Sequence, residues 1–171
     1  DLLYPAYGDT YPTYNGAIGM TYEMAGHSLA GLAIMTEKGD TLALKDRIAR
    51  HHCAAISTLE ATYENRKNLL VEFGNYFEPK GNSLFILRSN NPEKLEMLGE
   101  LLAKNDIRYL TPSKSASVKA TSYSSNQIAS INIKPGDLVV PLNQPKSTLV
   151  KVLFDNSTKL VDSLTYDITA W

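Results

Sequence analysis

The chain has 171 residues, 17 of them Lys or Arg and 18 Asp or Glu, for a net charge of −1. This length can bury one hydrophobic core or two small ones. The charges are balanced and form no basic block, which argues against nucleic-acid binding. No apolar run approaches the roughly 20 residues that a membrane-spanning helix needs. The single cysteine, Cys53, excludes a disulfide within the chain.

The first region is rich in tyrosine and ends in a lone carboxylate. Four tyrosines interleaved with Pro and Gly predict a rigid loop lined by aromatic rings; they are Tyr4, Tyr7, Tyr11 and Tyr14. The following run, Gly19-Met20-Thr21-Tyr22-Glu23, predicts a strand that ends at Glu23. A charge at the end of an apolar strand is costly unless it has a role. Glu23 is therefore the leading candidate for a functional residue.

A long helix is predicted next. Residues 29–35 indicate a short strand or a packed loop, and residues 36–40 a turn. A helix from about Leu42 to about Phe77 follows, and Gly74 and Pro79 mark its end. Its apolar side chains approximate a 3.6-residue period and form a stripe: Leu44, Ile48, Ala55, Leu59, Tyr63 and Leu70. Cys53 lies within this helix and is interpreted as a small buried apolar residue.

The three histidines do not form a metal site by their spacing. His51 and His52 are neighbours on the predicted helix and point about 100° apart, so they do not readily hold one ion together. His27 follows Glu23 across a Gly and is interpreted as a loop or supporting residue rather than a metal ligand.

Pro79-Lys80-Gly81-Asn82 predicts a boundary, which divides the chain into residues 1–78 and 79–171. Beyond it a strand at 83–88, a helix at about 92–104 and a strand at 107–110 predict a right-handed crossover between parallel strands. Asn91 is expected to cap the helix, with binding of an anion there as the less favoured alternative, and Asn105 to form its left-handed exit. Further along, residues 113–125 predict a loop or hairpin arm. Two strands at 128–133 and 138–142 and a short helix at 147–154 follow.

Several of these motifs resemble one family. Tyr4-Pro5-Ala6-Tyr7-Gly8-Asp9, followed by Gly16-Ala17-Ile18-Gly19-Met20-Thr21-Tyr22-Glu23, is similar to the active-site loop and strand of carboxypeptidase A-like zinc metallocarboxypeptidases, in particular a bacterial branch. The similarity is most specific for residues 1–78. It implies an α/β fold: the C-terminal part of a three-layer α/β/α sandwich, followed by a smaller α/β accessory module that is interpreted as truncated at its end.

The resemblance also implies roles for individual residues. Glu23 corresponds to the catalytic general base and acid, which takes a proton from zinc-activated water and returns it to the leaving amine. Tyr4 corresponds to the substrate-binding tyrosine of the loop, with Tyr7 and Tyr14 as alternatives. Asp9 either forms the floor of the specificity pocket, where it would favour a C-terminal Lys or Arg, or is a turn residue after Gly8.

The zinc ligands of that family are missing from this sequence. The chain has no His-x-x-Glu, and all three of its histidines follow Glu23. The resemblance therefore implies a fragment of an exported hydrolase, inactive alone, whose partners are a peptide substrate and the rest of the catalytic domain. An isolated fragment would expose the sheet edge and faces that the missing strands cover, which predicts self-association or binding to an upstream partner chain. The alternative is a non-catalytic binding or interaction protein that retains the scaffold. An amidotransferase-like role for residues 79–171 is excluded because they contain no Cys or His nucleophile.

Overall fold

The computed structural model describes residues 5–24 and 32–156. The chain is mixed α/β, and all of its paired strands in this part are antiparallel. It divides into two compact units, unit 1 (Asp1–Glu78) and unit 2 (Pro79–Trp171). The predicted strand Gly19–Glu23 and helix Leu42–Phe77 both fall in unit 1, whereas the predicted strand–helix–strand motif falls in unit 2.

Unit 1 combines a short hairpin with one long helix. Its elements are α1 (Thr10–Thr13), β1 (Ala33–Met35), β2 (Thr41–Ala43) and α2 (Leu44–Tyr76). Strands β1 and β2 pair antiparallel, and the backbone N–H of Thr36 donates to the Asp40 carbonyl at 2.7 Å. Gly39 has φ +85° and supplies the left-handed residue of this turn. The predicted turn at 36–40 is confirmed.

The predicted long helix is confirmed as α2, which has 33 residues and is about 50 Å long. It begins two residues later than predicted because Leu42 belongs to β2. The Asp46 carboxylate accepts from the Ala43 N–H at 3.2 Å and so stabilises the first turn. No residue of α2 is buried.

That exposure overturns one interpretation. Cys53 is exposed and is not a buried apolar residue. The apolar stripe of the helix is exposed as well, with Leu59 at 66% and Leu70 at 71%. Apolar periodicity indicates which residues share a face of a helix, but it does not say whether that face is covered.

The predicted strand at Gly19–Glu23 is wrong: these residues have no regular secondary structure. The Gly19 N–H donates to the Thr13 side-chain oxygen at 3.1 Å rather than to a neighbouring strand. A Cβ atom at position 19 would collide with the Asp9 carbonyl oxygen. The segment is therefore held by close contact with α1, which requires glycine at this point.

In unit 2, residues 79–156 form four strands and two helices. They are β3 (Leu84–Leu87), α3 (Pro92–Lys104), β4 (Ala116–Thr121), β5 (Ile128–Ile133), β6 (Leu138–Pro141) and α4 (Ser147–Phe154). Strands β4 and β5 form a hairpin with Val118 opposite Ile131, and β3 pairs with β6 with Ile86 opposite Val139. The predictions for β3, α3, β5, β6 and α4 are confirmed, and 113–125 includes the first strand of a hairpin.

The predicted parallel crossover is wrong. Strand β3 pairs antiparallel with β6, from a much later part of the chain, and 107–110 contributes only a single antiparallel bridge from Leu110 to Val139. The run Leu138–Pro141 has three buried residues and takes the place beside β3. Local pattern identified both strands but not which strand would pair with which, since that choice depends on long-range packing.

The termini of α3 follow the predicted chemistry with one shift. The Asn91 side chain accepts from the N–H groups of Glu93 at 2.9 Å and Lys94 at 3.4 Å, so ordinary capping is confirmed. At the other end the left-handed residue is Asp106, with φ +56°, and not Asn105. Asp tolerates this conformation for the same reason as Asn, a short polar side chain.

The hydrophobic core of the described residues lies in unit 2. Eight apolar side chains are buried there, and they come from helices, strands and the segment after α3: Leu102, Ile107, Ile133, Leu138, Val139, Val140, Leu149 and Val150. Strand β6 is central to this core because three of its four residues are buried.

Candidate functional site

Glu23 lies at an open cavity of about 230 Å3 in unit 1. The Glu23 side chain is exposed. One wall comes from its own segment and the other from α2, and the lining residues are Thr21, Tyr22, Glu23, Met24, Arg50, His51 and Ala54. The cavity brings together a carboxylate, a guanidinium and an imidazole, groups that can bind a polar ligand and transfer protons.

Two contacts fix the segment that carries Glu23. The Thr21 hydroxyl donates to the Asp9 carboxylate at 3.0 Å. The hydroxyl groups of Tyr22 and Thr58 are also hydrogen-bonded, which ties the segment to the middle of α2. Since Tyr22 immediately precedes Glu23, its bond to Thr58 places the Glu23 backbone beside α2.

Asp9 acts locally in this structure. It precedes α1, its carbonyl oxygen accepts from the Thr13 hydroxyl at 2.8 Å, and its carboxylate accepts from Thr21. Asp9 does not line the Glu23 cavity. Its geometry is that of a turn residue which also holds the following segment.

The candidate tyrosines differ in their surroundings. Tyr7 is 38% exposed, and its carbonyl oxygen accepts from the Tyr11 N–H at 2.9 Å. Burial raises the pKa of Tyr14 above its usual value of 10.0. Neither ring lines the Glu23 cavity. Tyr4 and His27 lie outside the described residues.

Sequence reasoning missed Arg50 and His51 as cavity residues. Arg50 and Ala54 are four residues apart and share one face of α2, and His51 lies beside that face. The available signal was that Arg50 lies on the polar face opposite the apolar stripe, with His51 at the edge of the stripe next to Ile48 and Ala55. These residues could be assigned to Glu23 only once the position of 20–24 was known. Across residues 5–24 and 32–156, no three His, Cys, Asp or Glu side chains are grouped so as to hold a metal ion.

Unit 2 holds a separate electrostatic feature, the Arg88–Asp137 ion pair. The two side chains form a bidentate contact, with distances of 2.8 and 2.7 Å. Asp137 is buried, whereas the Arg88 side chain is 41% exposed. The hydrogen bond from Arg88, together with one from the Lys134 N–H at 2.8 Å, lowers the pKa of Asp137 below its usual value of 3.8.

The ion pair has a structural geometry rather than a catalytic one. Arg88 also donates to the Asn132 carbonyl at 2.6 Å and so links the residue after β3 to β5. Buried Gln144 makes a similar link, accepting from the Arg108 N–H at 2.7 Å and donating to the Pro141 carbonyl at 2.6 Å. The bonds of these side chains hold strands and loops of unit 2 together, which is a structural role. The Glu23 cavity, whose carboxylate is exposed, is therefore the better candidate for a functional site.

No family model, no curated protein and no solved structure matches the chain. Within the described ranges, no helix is long and apolar enough to cross a membrane.

Proposed function

We propose that this chain supplies the general base and part of the substrate loop of a zinc metallocarboxypeptidase, which removes C-terminal residues from peptides. The observation that carries the proposal is the position of Glu23, exposed at the edge of a cavity that it shares with Arg50 and His51. A general base needs direct access to the substrate or its attacking water, and this side chain has it.

The arrangement around Glu23 supports the proposed proton transfers. The carboxylate accepts a proton from the attacking water and donates it to the leaving amine. Its backbone is anchored through Thr21 and Tyr22, so its position is fixed before substrate binds. The positive charge of Arg50 on the opposite wall is suited to attract the negatively charged end of a peptide.

The proposed enzyme requires zinc, but the described residues form no zinc site. Catalytic zinc takes three protein ligands and keeps one position open, and the described side chains do not fit that requirement. The proposal therefore places the zinc ligands in the remainder of the catalytic domain, outside this sequence.

The proposal extends to the architecture of the parent enzyme. Unit 1 would be the C-terminal part of a three-layer α/β/α sandwich, with α2 as a flanking helix, and unit 2 an accessory module. Support comes from the course of the Glu23 segment along α2: Ile18 and Met20 line a cavity together with Ala61 and Asn65, and Tyr22 is hydrogen-bonded to Thr58. As in the sequence-based prediction, the parent would be exported.

The proposed activity is tested by peptide hydrolysis with added zinc, comparing this chain with a form extended upstream by roughly two hundred residues, about one domain. The extended form is expected to release C-terminal residues, and Glu23→Gln is expected to lower kcat by at least about a hundredfold because the general base is lost. Glu37→Gln, an exposed carboxylate in the β1–β2 turn, is the matched control and should leave activity unchanged.

A folded extended form that binds zinc but cleaves no peptide would contradict the enzyme proposal. That result would favour the non-catalytic binding protein. Peptide binding measured by calorimetry on the same sample separates the two functions, because a binding descendant retains affinity without turnover.

A further inference from the structure

The largest unexplained feature of the molecule is an exposed row of side chains along α2. Its members follow alternating spacings of three and four residues, the pattern of the a and d positions of a coiled coil: Ile56, Leu59, Tyr63, Arg66, Leu70 and Phe73. We call this row the α2 seam. All six side chains are exposed, the apolar ones by 40% to 71%. An exposed row of five apolar side chains, interrupted by one arginine, indicates an interaction surface.

The seam lies on a different face of α2 from the Glu23 segment. That segment runs along Thr58, Ala61 and Asn65, which are about 130° around the helix from the middle of the seam. The seam is therefore open while the Glu23 segment is in place. Within the seam, the Arg66 guanidinium lies 4.3 Å from the centre of the Tyr63 ring and donates to the Tyr63 carbonyl at 2.7 Å, so these two side chains form one contact.

We infer that the α2 seam pairs antiparallel with the α2 seam of a second copy of this chain. In an antiparallel pair, each a position faces a d position of the other helix. One register satisfies the whole seam: Ile56 then faces Phe73 of the second copy, Leu59 faces Leu70, and Tyr63 faces Arg66. Each contact occurs twice by symmetry, as a two-fold interface requires.

Charge complementarity supports this register. Glu60 and Lys67 occupy the e positions beside the seam, and antiparallel pairing places e opposite e. Glu60 of one copy then lies beside Lys67 of the other, twice per dimer. Both side chains are exposed, and no ion pair involves either of them in the described part of the chain. A parallel in-register pair would bring Tyr63 against Tyr63 and Arg66 against Arg66, which places two like charges together.

The inference does not depend on the proposed enzyme function. It concerns the seam, whereas the proposed chemistry concerns the face of α2 that carries Arg50 and His51. A sheet contributed by an upstream part of the parent enzyme is the competing occupant of the seam, and the test distinguishes the two.

The oligomeric state of the full chain is measured first, by sedimentation equilibrium over a range of concentrations. A monomer–dimer equilibrium is expected. Leu59→Gln combined with Leu70→Gln should abolish the dimer, and the fold should survive because both side chains are exposed. Leu32→Gln, an equally exposed leucine of unit 1, is the control and should leave the dimer intact.

Charge reversal tests the register. Glu60→Lys puts a positive charge beside Lys67 of the other copy, twice per dimer, and should raise the dimer dissociation constant about tenfold. Adding Lys67→Glu restores two opposite-charge contacts and should recover most of the affinity. Glu64→Lys, the same charge change away from the seam, should have little effect.

Crosslinking tests the orientation. In the proposed register Cys53 faces position 74 of the second copy, so Gly74→Cys should form a covalent dimer with a short bis-maleimide. Within one chain positions 53 and 74 are about 31 Å apart along the helix, which excludes an internal link. The unmodified chain, with Cys53 alone, should not crosslink.

Three results would each overturn the inference. A monomer at every concentration would favour the alternative, in which a sheet of the parent enzyme covers the seam. A dimer that is insensitive to the Leu59 and Leu70 substitutions would place the interface elsewhere. Crosslinking of the unmodified chain through Cys53 would show parallel helices. Loss of peptide hydrolysis in the Glu23→Gln extended form has no bearing on these measurements.

Discussion

Units 1 and 2 differ in how their apolar side chains are used. Every buried hydrophobic side chain among the described residues belongs to unit 2, whereas the one buried residue of unit 1 is Thr10. Unit 2 therefore has a core of its own, in which β6 pairs with β3 and contributes three of the eight buried apolar side chains. Unit 1 has regular structure but leaves most of its large apolar side chains exposed.

The difference shows that a segment can have regular secondary structure without contributing to a hydrophobic core. A helix of 33 residues forms its internal hydrogen bonds without a partner, but most helical stability in proteins comes from packing of an apolar face. In unit 2 that packing is present. In unit 1, packing of the apolar face of α2 requires a surface from outside the described residues. The surface inferred above is α2 of a second copy of the chain.

The largest effect is expected from the core of unit 2. Leu102→Ala removes a fully buried side chain and should lower the free energy of unfolding of unit 2 by about 3 kcal/mol. Met97→Ala, on the same helix but 70% exposed, should cost less than about 0.5 kcal/mol. Urea unfolding followed by the amide NMR signals of β3 and β6 measures both. Equal effects of the two substitutions would contradict the assignment of the core.

The next largest effect is the contribution of Asp137 to the stability of unit 2, which depends on pH. Because the folded pKa of Asp137 is lowered by Arg88, the pair's stabilisation is fully present above the ordinary value of 3.8 and is lost as pH falls through the lower folded pKa. At pH 7, Asp137→Asn should cost unit 2 about 2 kcal/mol, since a buried acceptor of charged hydrogen bonds is weakened.

The same variant provides the pH test. Unfolding of unit 2 in urea at a series of pH values from about 6 to about 3 should show a smaller loss of stability for Asp137→Asn than for the unmodified chain. Glu96→Gln, an exposed carboxylate of α3, should follow the unmodified chain. A parallel decline for all three proteins would show that Asp137 is not the group that titrates.

The smallest effect concerns unit 1 and has the opposite sign. Gly74 lies inside α2 with open space around its α-carbon, so Gly74→Ala should stabilise the helix by about 0.5–1 kcal/mol. Gly39→Ala also meets no atoms, but Gly39 has φ +85°, so that change should be destabilising. Thermal melts by far-ultraviolet circular dichroism compare them. A stabilising Gly39→Ala would show that the β1–β2 turn is not fixed as described.

Elements governed by local chemistry could be read from the sequence. The cap at Asn91, the turn at 36–40 and the helix Ser147–Phe154 each depend on residues within one or two turns of chain. The long helix α2 was predictable for the same reason. Two of the errors have a common cause: the strand at Gly19–Glu23 and the parallel crossover both required a partner that only the folded chain supplies.

The sequence by itself determined where helices α2, α3 and α4 and strands β3, β5 and β6 lie, and which carboxylate to examine first, because propensity, capping and periodicity are properties of neighbouring residues. Tertiary structure decided the rest. It set β3 beside β6, put Arg50 and His51 across a cavity from Glu23, and left the α2 stripe uncovered. Each of these depends on contacts between residues distant in the chain, whose free energies no local pattern contains.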